Sequence, residues 1–339
     1  MTRTRRSIWL VMILSVALLV ASTHTAAQRG GRIRIGSIAP TGSLWDDALN
    51  FLAQDWREVS DGSVRVTVYP DGNMGDETEM VRKVRQGQLQ GVLLSSVGMS
   101  RIDSGVACLQ VPMLLDSYAE LDYVRDQMAE TLEARIEAKG FKVLNWGDAG
   151  WVRVFSKDQA STPDDLKEMK LFTSAGDPET ETLYKQFGFQ VVPLSLVDLV
   201  TSLQTGMIDA VPLPPLFAQL QELHKLTPHM LNVPLTPLVG GTVISMRAWR
   251  GLPEQHRDAM LRSARQAGDQ LRTQIRQFGE DTIVEMSKRG LKVTEPDAGT
   301  LAAWQREASS TYKSLRGDYC PADVFDEVVR LRDEYRASL

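Results

Sequence analysis

The side chains that most often carry out chemistry are not spaced for catalysis in this sequence. His224, His229 and His256 are scattered, and the adjacent carboxylates Asp46 and Asp47 cannot share one face of a helix. The serine elbow G-x-S-x-G, the zinc motif H-E-x-x-H and the glycine-rich phosphate loops are all missing. A hydrolase or lyase is therefore the least favoured class, and a binding protein is favoured over an enzyme.

The cysteines indicate neither a metal site nor a cofactor. The chain has only two, Cys108 and Cys320, which are too far apart to form a local metal-binding motif. In an oxidising compartment they could form one bridge, but the sequence does not show that they meet. Cys108 lies in the apolar run 106–109 and is interpreted as a small core residue.

The N-terminus predicts export. Arg3, Arg5 and Arg6 precede an apolar run over residues 8–21, and small residues at 25–27 suit a signal peptidase that cleaves near Ala27. The alternative is an uncleaved membrane anchor, but a run of 14 residues is short of the roughly 20 that span a bilayer. We expect a mature protein of the periplasm that is not inserted in the membrane.

The charge balance opposes two classes of partner. Cleavage near Ala27 would remove three arginines and no acids, which leaves 35 basic against 43 acidic side chains and a formal charge of −8. Nucleic acids and anionic membrane surfaces both require a basic footprint, so neither is expected as a partner. The remaining 312 residues are of a length that usually divides into two domains.

The order of predicted elements is typical of an α/β fold. Polar and apolar residues alternate in short strands, and apolar residues at spacings of three and four follow them in helices. The predicted strands cover residues 32–38, 64–68, 89–94, 141–146, 152–156, 170–173 and 189–194. The predicted helices cover residues 44–60, 76–86, 117–139, 177–187 and 196–205. The apolar stripe of the first helix includes Phe51.

One predicted helix is unusually long. No proline interrupts Glu254–Lys288, and its apolar residues, from Met260 to Phe278, keep helical spacing. Some 35 residues at about 1.5 Å each would span about 50 Å, which exceeds one small domain. We therefore expect this helix to bridge two lobes.

Four motifs in order resemble one family of transport proteins. Residues 38–45 (IAPTGSLW) are similar to APPGSPW, residues 68–77 (VYPDGNMGDE) to YPNGQLGGE, residues 162–172 (TPDDLKEMKLF) to TPEDLKGLKIR, and residues 203–210 (LQTGMIDA) to LQTGVVDG. These motifs belong to the solute-binding subunits of tripartite ATP-independent periplasmic (TRAP) transporters, the dicarboxylate-binding-protein-like family. The resemblance covers nearly the whole mature chain.

The resemblance implies a two-lobe fold in which strands cross a hinge twice and a small-molecule ligand is enclosed in the cleft. After a signal peptide at 1–27, lobe I would comprise residues 28–149 plus about 238–277, and lobe II residues 150–237 plus about 278–339. Ligand that touches both lobes would stabilise a closed form, which the membrane subunits of the transporter then bind. A periplasmic sensor subunit would share the fold, and the sequence does not separate the two roles.

The position of the family's ligand clamp departs from the pattern. In the family, the last arginine of TPEDLKGLKIR binds the carboxylate of the substrate, and here that position is Phe172. The asparagine of the family motif QENP falls on Leu213. An aromatic ring supplies apolar surface and no donor. The departures predict an apolar or amphipathic ligand rather than a dicarboxylate, the alternative being that both residues are ordinary core.

Arg153 leaves a second interpretation open. The family has another arginine in a GFRQ strand, and ungapped alignment places Trp151 at that position. Arg153 follows two residues later, so in a strand it points to the same face about 7 Å further along. It could bind a polar head group while Trp151 and Phe172 line an apolar body, or it could bind an organic acid in place of the missing arginine. Alternatively, it pairs with Asp148 or Asp158.

Three further candidates match cleft positions of the family, and Asp177 is a fourth candidate. Trp45 and Glu77 correspond to residues that line the cleft, and Leu196 aligns with an apolar position beside the ligand. For Trp45, packing at the start of a helix is the alternative. Asp177 suits the N-cap of a helix as well as a ligand contact.

Overall fold

The computed structural model describes residues 31–339. The predicted signal peptide therefore lies outside the described residues. Within the described part of the chain, no helix combines the length and the apolar character needed to cross a membrane.

Short strands alternate with helices along most of the chain, as the sequence pattern predicts. The strands are β1 (Arg32–Gly36), β2 (Arg65–Tyr69), β3 (Gly91–Ser95), β4 (Phe141–Trp151), β5 (Arg153–Ser156), β6 (Lys170–Ser174), β7 (Gln190–Leu194), β8 (Ala210–Leu213), β9 (His229–Leu231), β10 (Pro237–Ser245) and β11 (Lys292–Thr294).

The helices include one that is far longer than the others. They are α1 (Leu44–Val59), α2 (Glu77–Arg85), α3 (Ser96–Ser100), α4 (Tyr118–Ala138), α5 (Pro163–Lys167), α6 (Pro178–Gln186), α7 (Leu199–Gln204), α8 (Pro215–Leu220), α9 (Met246–Arg250), α10 (Glu254–Lys288), α11 (Ala298–Ser314) and α12 (Ala322–Ala337). Short 3₁₀ turns cover Ser104–Gln110, Leu196–Asp198 and Leu223–Lys225, and a π-type turn covers Leu315–Tyr319. The predicted bounds of α1, α4 and α10 agree with these to within one residue.

The strands form two separate sheets, one for each lobe. The first has five strands in the order β2-β1-β3-β10-β4, and β10 runs antiparallel to both neighbours. The second has six strands in the order β11-β9-β5-β8-β6-β7, with β5 antiparallel to β8 and β9. The α/β, two-lobe class predicted from the sequence is confirmed.

Two chain segments connect the sheets side by side. β4 belongs to the first sheet and β5 to the second, with Val152 alone between them; β9 and β10 are likewise in different sheets. Val152 donates its N–H to the carbonyl of Thr236 at 2.8 Å and accepts from the N–H of Leu235 at 3.1 Å. The two crossings are thus hydrogen-bonded to each other where the sheets change.

β4 is longer than the sequence pattern predicts. The prediction ends a strand at residue 146, where the alternation gives way to Gly147, Asp148, Ala149 and Gly150. In the structure β4 continues to Trp151, because its second half pairs with β10 in the register Gly147 to Gly240 and Asp148 to Val239. Pairing with a neighbouring strand overrides the weak local pattern.

The long helix α10 contributes to apolar clusters of both lobes. Met260 packs with residues of β1 and α1, whereas Ile283 and Met286 pack with residues of β5 and β8. The prediction that this helix bridges the lobes is confirmed. The predicted apolar stripes contain two errors, since Phe51 of α1 is 42% exposed and Phe278 of α10 is 48% exposed.

A glycine allows α10 to lie directly on β4. A Cβ atom at Gly268 would lie 2.6 Å from Cβ of Asn145 and 2.9 Å from the carbonyl oxygen of Trp146. Asn145 in turn donates to the carbonyl of Ala264 at 2.9 Å and accepts from the N–H of Thr242 at 3.1 Å. The close approach therefore lets one side chain join α10, β4 and β10.

We expect Gly268→Ala to destabilise the protein by about 1–3 kcal/mol, because the added methyl group has no room. The matched control is Gly279→Ala in the same helix, where a Cβ meets nothing within 4 Å. Better helix propensity should make that control stabilising by roughly 0.5–1 kcal/mol. Urea unfolding of both variants measures the difference, and equal effects would contradict the close packing of α10 on β4.

Candidate functional site

A cavity of about 220 Å³ lies between the two sheets. The first lobe supplies the residues after β1, the start of α1, the end of β3 and the middle of β4. The second lobe supplies the end of β6, the end of β8 and the start of α8. Val152, between the hinge-crossing strands β4 and β5, also lines it. A ligand here would touch both lobes at once.

Phe172 lies on the wall of this cavity. It is the central residue of β6, pairs with Val192 of β7 and is 5% exposed. It belongs to the same apolar cluster as Leu213, and the partly buried Leu196 and Phe217 pack against that cluster. Phe172, Leu213, Leu196 and Phe217 all line the cavity. Phe172 is thus a core residue that also presents apolar surface to the space between the lobes.

Trp45 forms part of the opposite wall. It is the second residue of α1, and it packs with Ala39, Leu271 and Ile275 in a small apolar cluster between α1 and α10. Ala39 and Leu271 line the cavity beside it. The packing role and the cleft position, which were alternatives in the sequence, coincide at this residue.

Glu77 lines the cavity but its carboxylate is occupied by the protein. Oε1 accepts from the N–H of Ser95 at 2.5 Å, and Oε2 accepts from the hydroxyl of Ser95 at 2.7 Å and the N–H of Gly98 at 3.1 Å. These donors belong to the first turn of α3 and the residue before it. Burial raises the pKa of Glu77, while the three hydrogen bonds oppose the rise. Its role in the structure is to cap α3.

Asp148 is a lining residue that the sequence analysis named only as a partner for Arg153. Its side chain is 1% exposed, and Oδ2 accepts from Nη2 of Arg276 at 2.7 Å and from Nε at 3.2 Å. Oδ1 has no hydrogen-bond partner among the described residues. Burial raises the pKa of Asp148, and the Arg276 guanidinium opposes the rise. The one sequence feature that could have drawn attention to Asp148 is its position as a carboxylate within a glycine-rich stretch.

Each of the three guanidinium nitrogens of Arg276 donates to a carboxylate of the protein. Besides Asp148 it binds Asp122 of α4 through Nη1 at 2.6 Å and Nη2 at 2.8 Å. The face of its guanidinium lies 4.2 Å from the centre of the Tyr118 ring. Nε, Nη1 and Nη2 thus all serve two carboxylates of the protein.

Asp177 is both an N-cap and a lining residue. Its Oδ1 accepts from the N–H of Thr180 at 3.0 Å, and its Oδ2 accepts from the hydroxyl of Thr180 at 2.6 Å. These bonds begin α6, as the capping interpretation predicted. Asp177 and Thr180 both line the cavity.

Trp151 and Arg153 are not among the residues that line this cavity. The Trp151 ring packs against Tyr118 with centroids 5.9 Å apart. Nε of Arg153 donates to Oδ1 of Asn232 at 2.8 Å, and Nη2 lies 3.8 Å from Oε1 of Glu280. The partners of Arg153 are therefore neither Asp148 nor Asp158. Long-range packing, which local sequence does not reveal, gives both side chains other neighbours.

The charges on the cavity wall have one sign. Three of the lining residues are acidic, namely Glu77, Asp148 and Asp177. Within residues 31–339, no lysine, arginine or histidine lines the cavity. Most other lining side chains are apolar or aromatic. The arrangement suits a ligand with apolar surface and offers no direct counter-ion to a carboxylate.

The buried position of Glu77 predicts a pH effect on stability. Its pKa is raised above the ordinary 4.5, so its contribution to stability is full below that value and is lost as pH rises through the folded pKa. The free energy of unfolding of the wild type, relative to that of Glu77→Gln, should therefore fall as pH increases above about 4.5.

The matched control is Glu79→Gln on the same helix. Arg82 lowers the pKa of Glu79, so its contribution is lost as pH falls, which is the opposite direction. Urea unfolding between about pH 3 and pH 7 compares the three proteins, because the contribution of Glu79 changes only below its ordinary pKa of 4.5. Parallel profiles for the wild type and Glu77→Gln would contradict the desolvated state of this carboxyl group.

Comparison with known proteins identifies relatives for almost the whole chain. A family model described as "Bacterial extracellular solute-binding protein, family 7" matches residues 35–318. The chain is 28% identical over 245 residues to the 2,3-diketo-L-gulonate-binding periplasmic protein of Escherichia coli K12, covering 70% of this chain and 73% of that protein. It is 22% identical over 296 residues to the sialic acid-binding periplasmic protein of Vibrio cholerae, covering 84% and 89%.

Solved structures share the fold. A TRAP periplasmic solute-binding protein of Ralstonia eutropha H16, with bound (S)-2-acetolactate, superposes with a TM-score of 0.84 at 19% identity over 89% of this chain and 99% of that chain. The sugar acid-binding protein of Advenella mimigardefordensis, in complex with galactonate, gives 0.82 at 19% identity over 89% and 98%. The family consists of solute binders of transporters and not of enzymes. This chain, with its two lobes and the cavity between them, belongs to the bacterial extracellular solute-binding protein family 7, the solute-binding proteins of TRAP transporters.

Proposed function

We propose that this protein binds an apolar or amphipathic small molecule between its lobes and delivers it to the membrane subunits of a TRAP-type transporter. The observation that carries the proposal is Phe172, which lies on the cavity wall where the TRAP motif places an arginine. Leu213, Leu196 and Phe217 extend the apolar surface around it. The relatives named above bind organic acids according to their names, so the proposed ligand differs from theirs.

The energetics favour this ligand class over a carboxylate. An arginine that binds a carboxylate through two hydrogen bonds is among the stronger polar contacts in proteins. A carboxylate buried without such a partner costs several kcal/mol. The charged residues that line this cavity are Glu77, Asp148 and Asp177, which are all acidic and would not attract a carboxylate. Burying apolar surface against Phe172 is favourable in proportion to area, about 25 cal/mol per Å².

The delivery step follows from the two-lobe architecture. The paired crossings at Val152 and at Leu235–Thr236 form a narrow connection about which the lobes can close. A ligand that contacts both lobes shifts the population toward the closed form, and the membrane subunits recognise that form. The same proposal includes export through a signal peptide at residues 1–27. It also includes lobe boundaries near residues 150, 238 and 277.

A competing function is an organic-acid binder that uses Arg153. One observation favours it, because Nη1 of Arg153 is buried and has no hydrogen-bond partner among the described residues. Arg153 also pairs in register with Leu213, which does line the cavity. Against it, Arg153 is not a lining residue and its Nε is bound to Asn232. A ligand acid would have to displace these contacts.

Gently purified protein should carry a hydrophobic passenger. We expect denaturing extraction followed by mass spectrometry to release an apolar or amphipathic molecule in a ratio near one per chain. The control is the same extraction from protein that was unfolded, washed and refolded before analysis. Recovery of a sugar acid, a dicarboxylate or sialic acid as the passenger would reject the apolar proposal.

An arginine on the apolar wall should weaken binding of the proposed ligand. We expect Phe172→Arg to weaken binding of the passenger by about tenfold or more, because a buried cation replaces apolar contact area. Leu196→Arg makes the same change at a partly buried lining residue, which guards against failure of the first variant to fold. Phe278→Arg is the control, since that side chain is exposed and outside the cavity. Unchanged affinity in both wall variants, with folding confirmed by circular dichroism, would remove this wall from the binding site.

A further inference from the structure

The two cysteines of the chain meet in the folded protein. Sγ of Cys108 lies 4.0 Å from the carbonyl oxygen of Pro321, the residue directly after Cys320. Burial raises the pKa of the Cys108 thiol, and a hydrogen bond with the thiol of Cys320 adds to the rise. Both side chains belong to one apolar cluster, in which Cys108 is 0% and Cys320 is 1% exposed. The fold thus brings two thiols that are far apart in sequence into direct contact.

The backbone segments that carry the cysteines also lie side by side. Cα atoms of the 3₁₀ turn Ser104–Gln110, which contains Cys108, lie within 8 Å of Cα atoms in the π-type turn Leu315–Tyr319 and in α12. These two elements flank Cys320. The Cα atoms of a disulfide are usually about 4.4–6.8 Å apart, so segments at this separation can be joined without rearranging the fold.

Cys108 lies beside the connection between the lobes. Two residues later, Nε2 of Gln110 donates to the carbonyl of Pro237 at 2.8 Å, and the carbonyl of Gln110 accepts from the hydroxyl of Thr236 at 2.8 Å. Thr236 is also the residue whose carbonyl accepts from the N–H of Val152 where the chain crosses between the sheets. A bond that fixes this turn therefore supports the hinge.

Cys320 lies just before the C-terminal helix. The chain turns at Gly317, whose φ is +100°, and enters α12 after Cys320. α12 packs on α4, and its residues Val324, Phe325 and Val328 belong to the same apolar cluster as the two cysteines. A bond from Cys320 to the 3₁₀ turn would fasten the N-terminal end of this helix in addition to its apolar contacts.

We propose that Cys108 and Cys320 form a disulfide in the exported protein, which fastens α12 to the turn beside the hinge. One thiolate attacks a disulfide oxidant of the periplasm, and the second thiolate then displaces the oxidant from the mixed disulfide. One Sγ–Sγ bond forms, two S–H bonds and the S–S bond of the oxidant break, and both protons and both electrons pass to the oxidant, which leaves as two thiols. Such bonds persist in oxidising compartments. The inference rests on the export that is part of the proposed function, and not on the ligand.

The bond has to form while the chain folds. The folded protein encloses both sulfurs, and the raised pKa of Cys108 leaves few thiolates to attack an oxidant. In the unfolded chain both thiols are accessible, with a pKa of about 8.5. Once the disulfide has formed, the same burial shields it from reductants.

Refolding under two redox conditions tests the pairing. The purified protein is unfolded with reductant and refolded in either oxidised or reduced glutathione. It is then unfolded again in iodoacetamide, and mass spectrometry counts the alkylated thiols. We expect no alkylated thiol and a monomer on a non-reducing gel after the oxidised treatment, and two alkylated thiols after the reduced one. Since the chain has no other cysteine, the count reports this pair alone.

The bond should also stabilise the protein. It closes a loop of more than 200 residues, and a longer loop loses more entropy in the unfolded chain when it is closed. We expect the midpoint of thermal unfolding to be roughly 5 °C or more higher for the oxidised protein than for the reduced one. The matched control combines Cys108→Ala with Cys320→Ala and should unfold at one temperature after either treatment. The wild-type comparison stands even where this double variant fails to fold.

The outcomes separate this inference from the proposed export. Two alkylated thiols, bound glutathione or a disulfide-linked dimer after the oxidised treatment would overturn the pairing. Equal midpoints of the oxidised and reduced wild type would overturn the fastening of α12.

The same count on protein isolated from cells that express the full sequence tests the bond where it should form. We expect no alkylated thiol in protein from the periplasmic fraction. Two free thiols in that fraction would overturn the inference and leave the proposed function in place. Protein that stays in the cytoplasmic fraction with free thiols, but pairs them on refolding, would overturn the export and leave the pairing in place.

Discussion

The bonds of Arg276 to Asp148 and Asp122 determine which charges the cavity can offer a ligand. Nε, Nη1 and Nη2 of the guanidinium each donate to one or both of these carboxylates, and the bonds join the long helix α10 to β4 and α4. This guanidinium therefore serves mainly to hold the protein together. Phe172 stands at the motif position, and no cationic residue among the described residues 31–339 lines the cavity, whose wall is mostly apolar.

The same long helix gives the two lobes a common frame. Its first half packs on the first sheet, with Gly268 against β4, and its last turns pack into the core of the second lobe. The lobes are otherwise joined where the chain crosses beside Val152. A cavity bounded by this hinge changes shape whenever the lobes move, which is how a binding protein signals occupancy.

The fold could be predicted well from the sequence, and the site only in part. Helical spacing gave α10 its bounds, and the motifs placed Phe172, Leu213 and Trp45 in the cleft region. The second half of β4 was missed because pairing with β10, not local pattern, makes it a strand. The partners of Arg153 and Asp148 could not be predicted for the same reason, since they come from segments distant in sequence, such as Asn232 and Arg276.

A crystal structure of the protein with its natural passenger bound tests the central claim most directly. The account predicts that apolar atoms of the ligand lie against Phe172 and Leu213. A ligand carboxylate held by Arg153, with Phe172 turned away from the ligand, would contradict it.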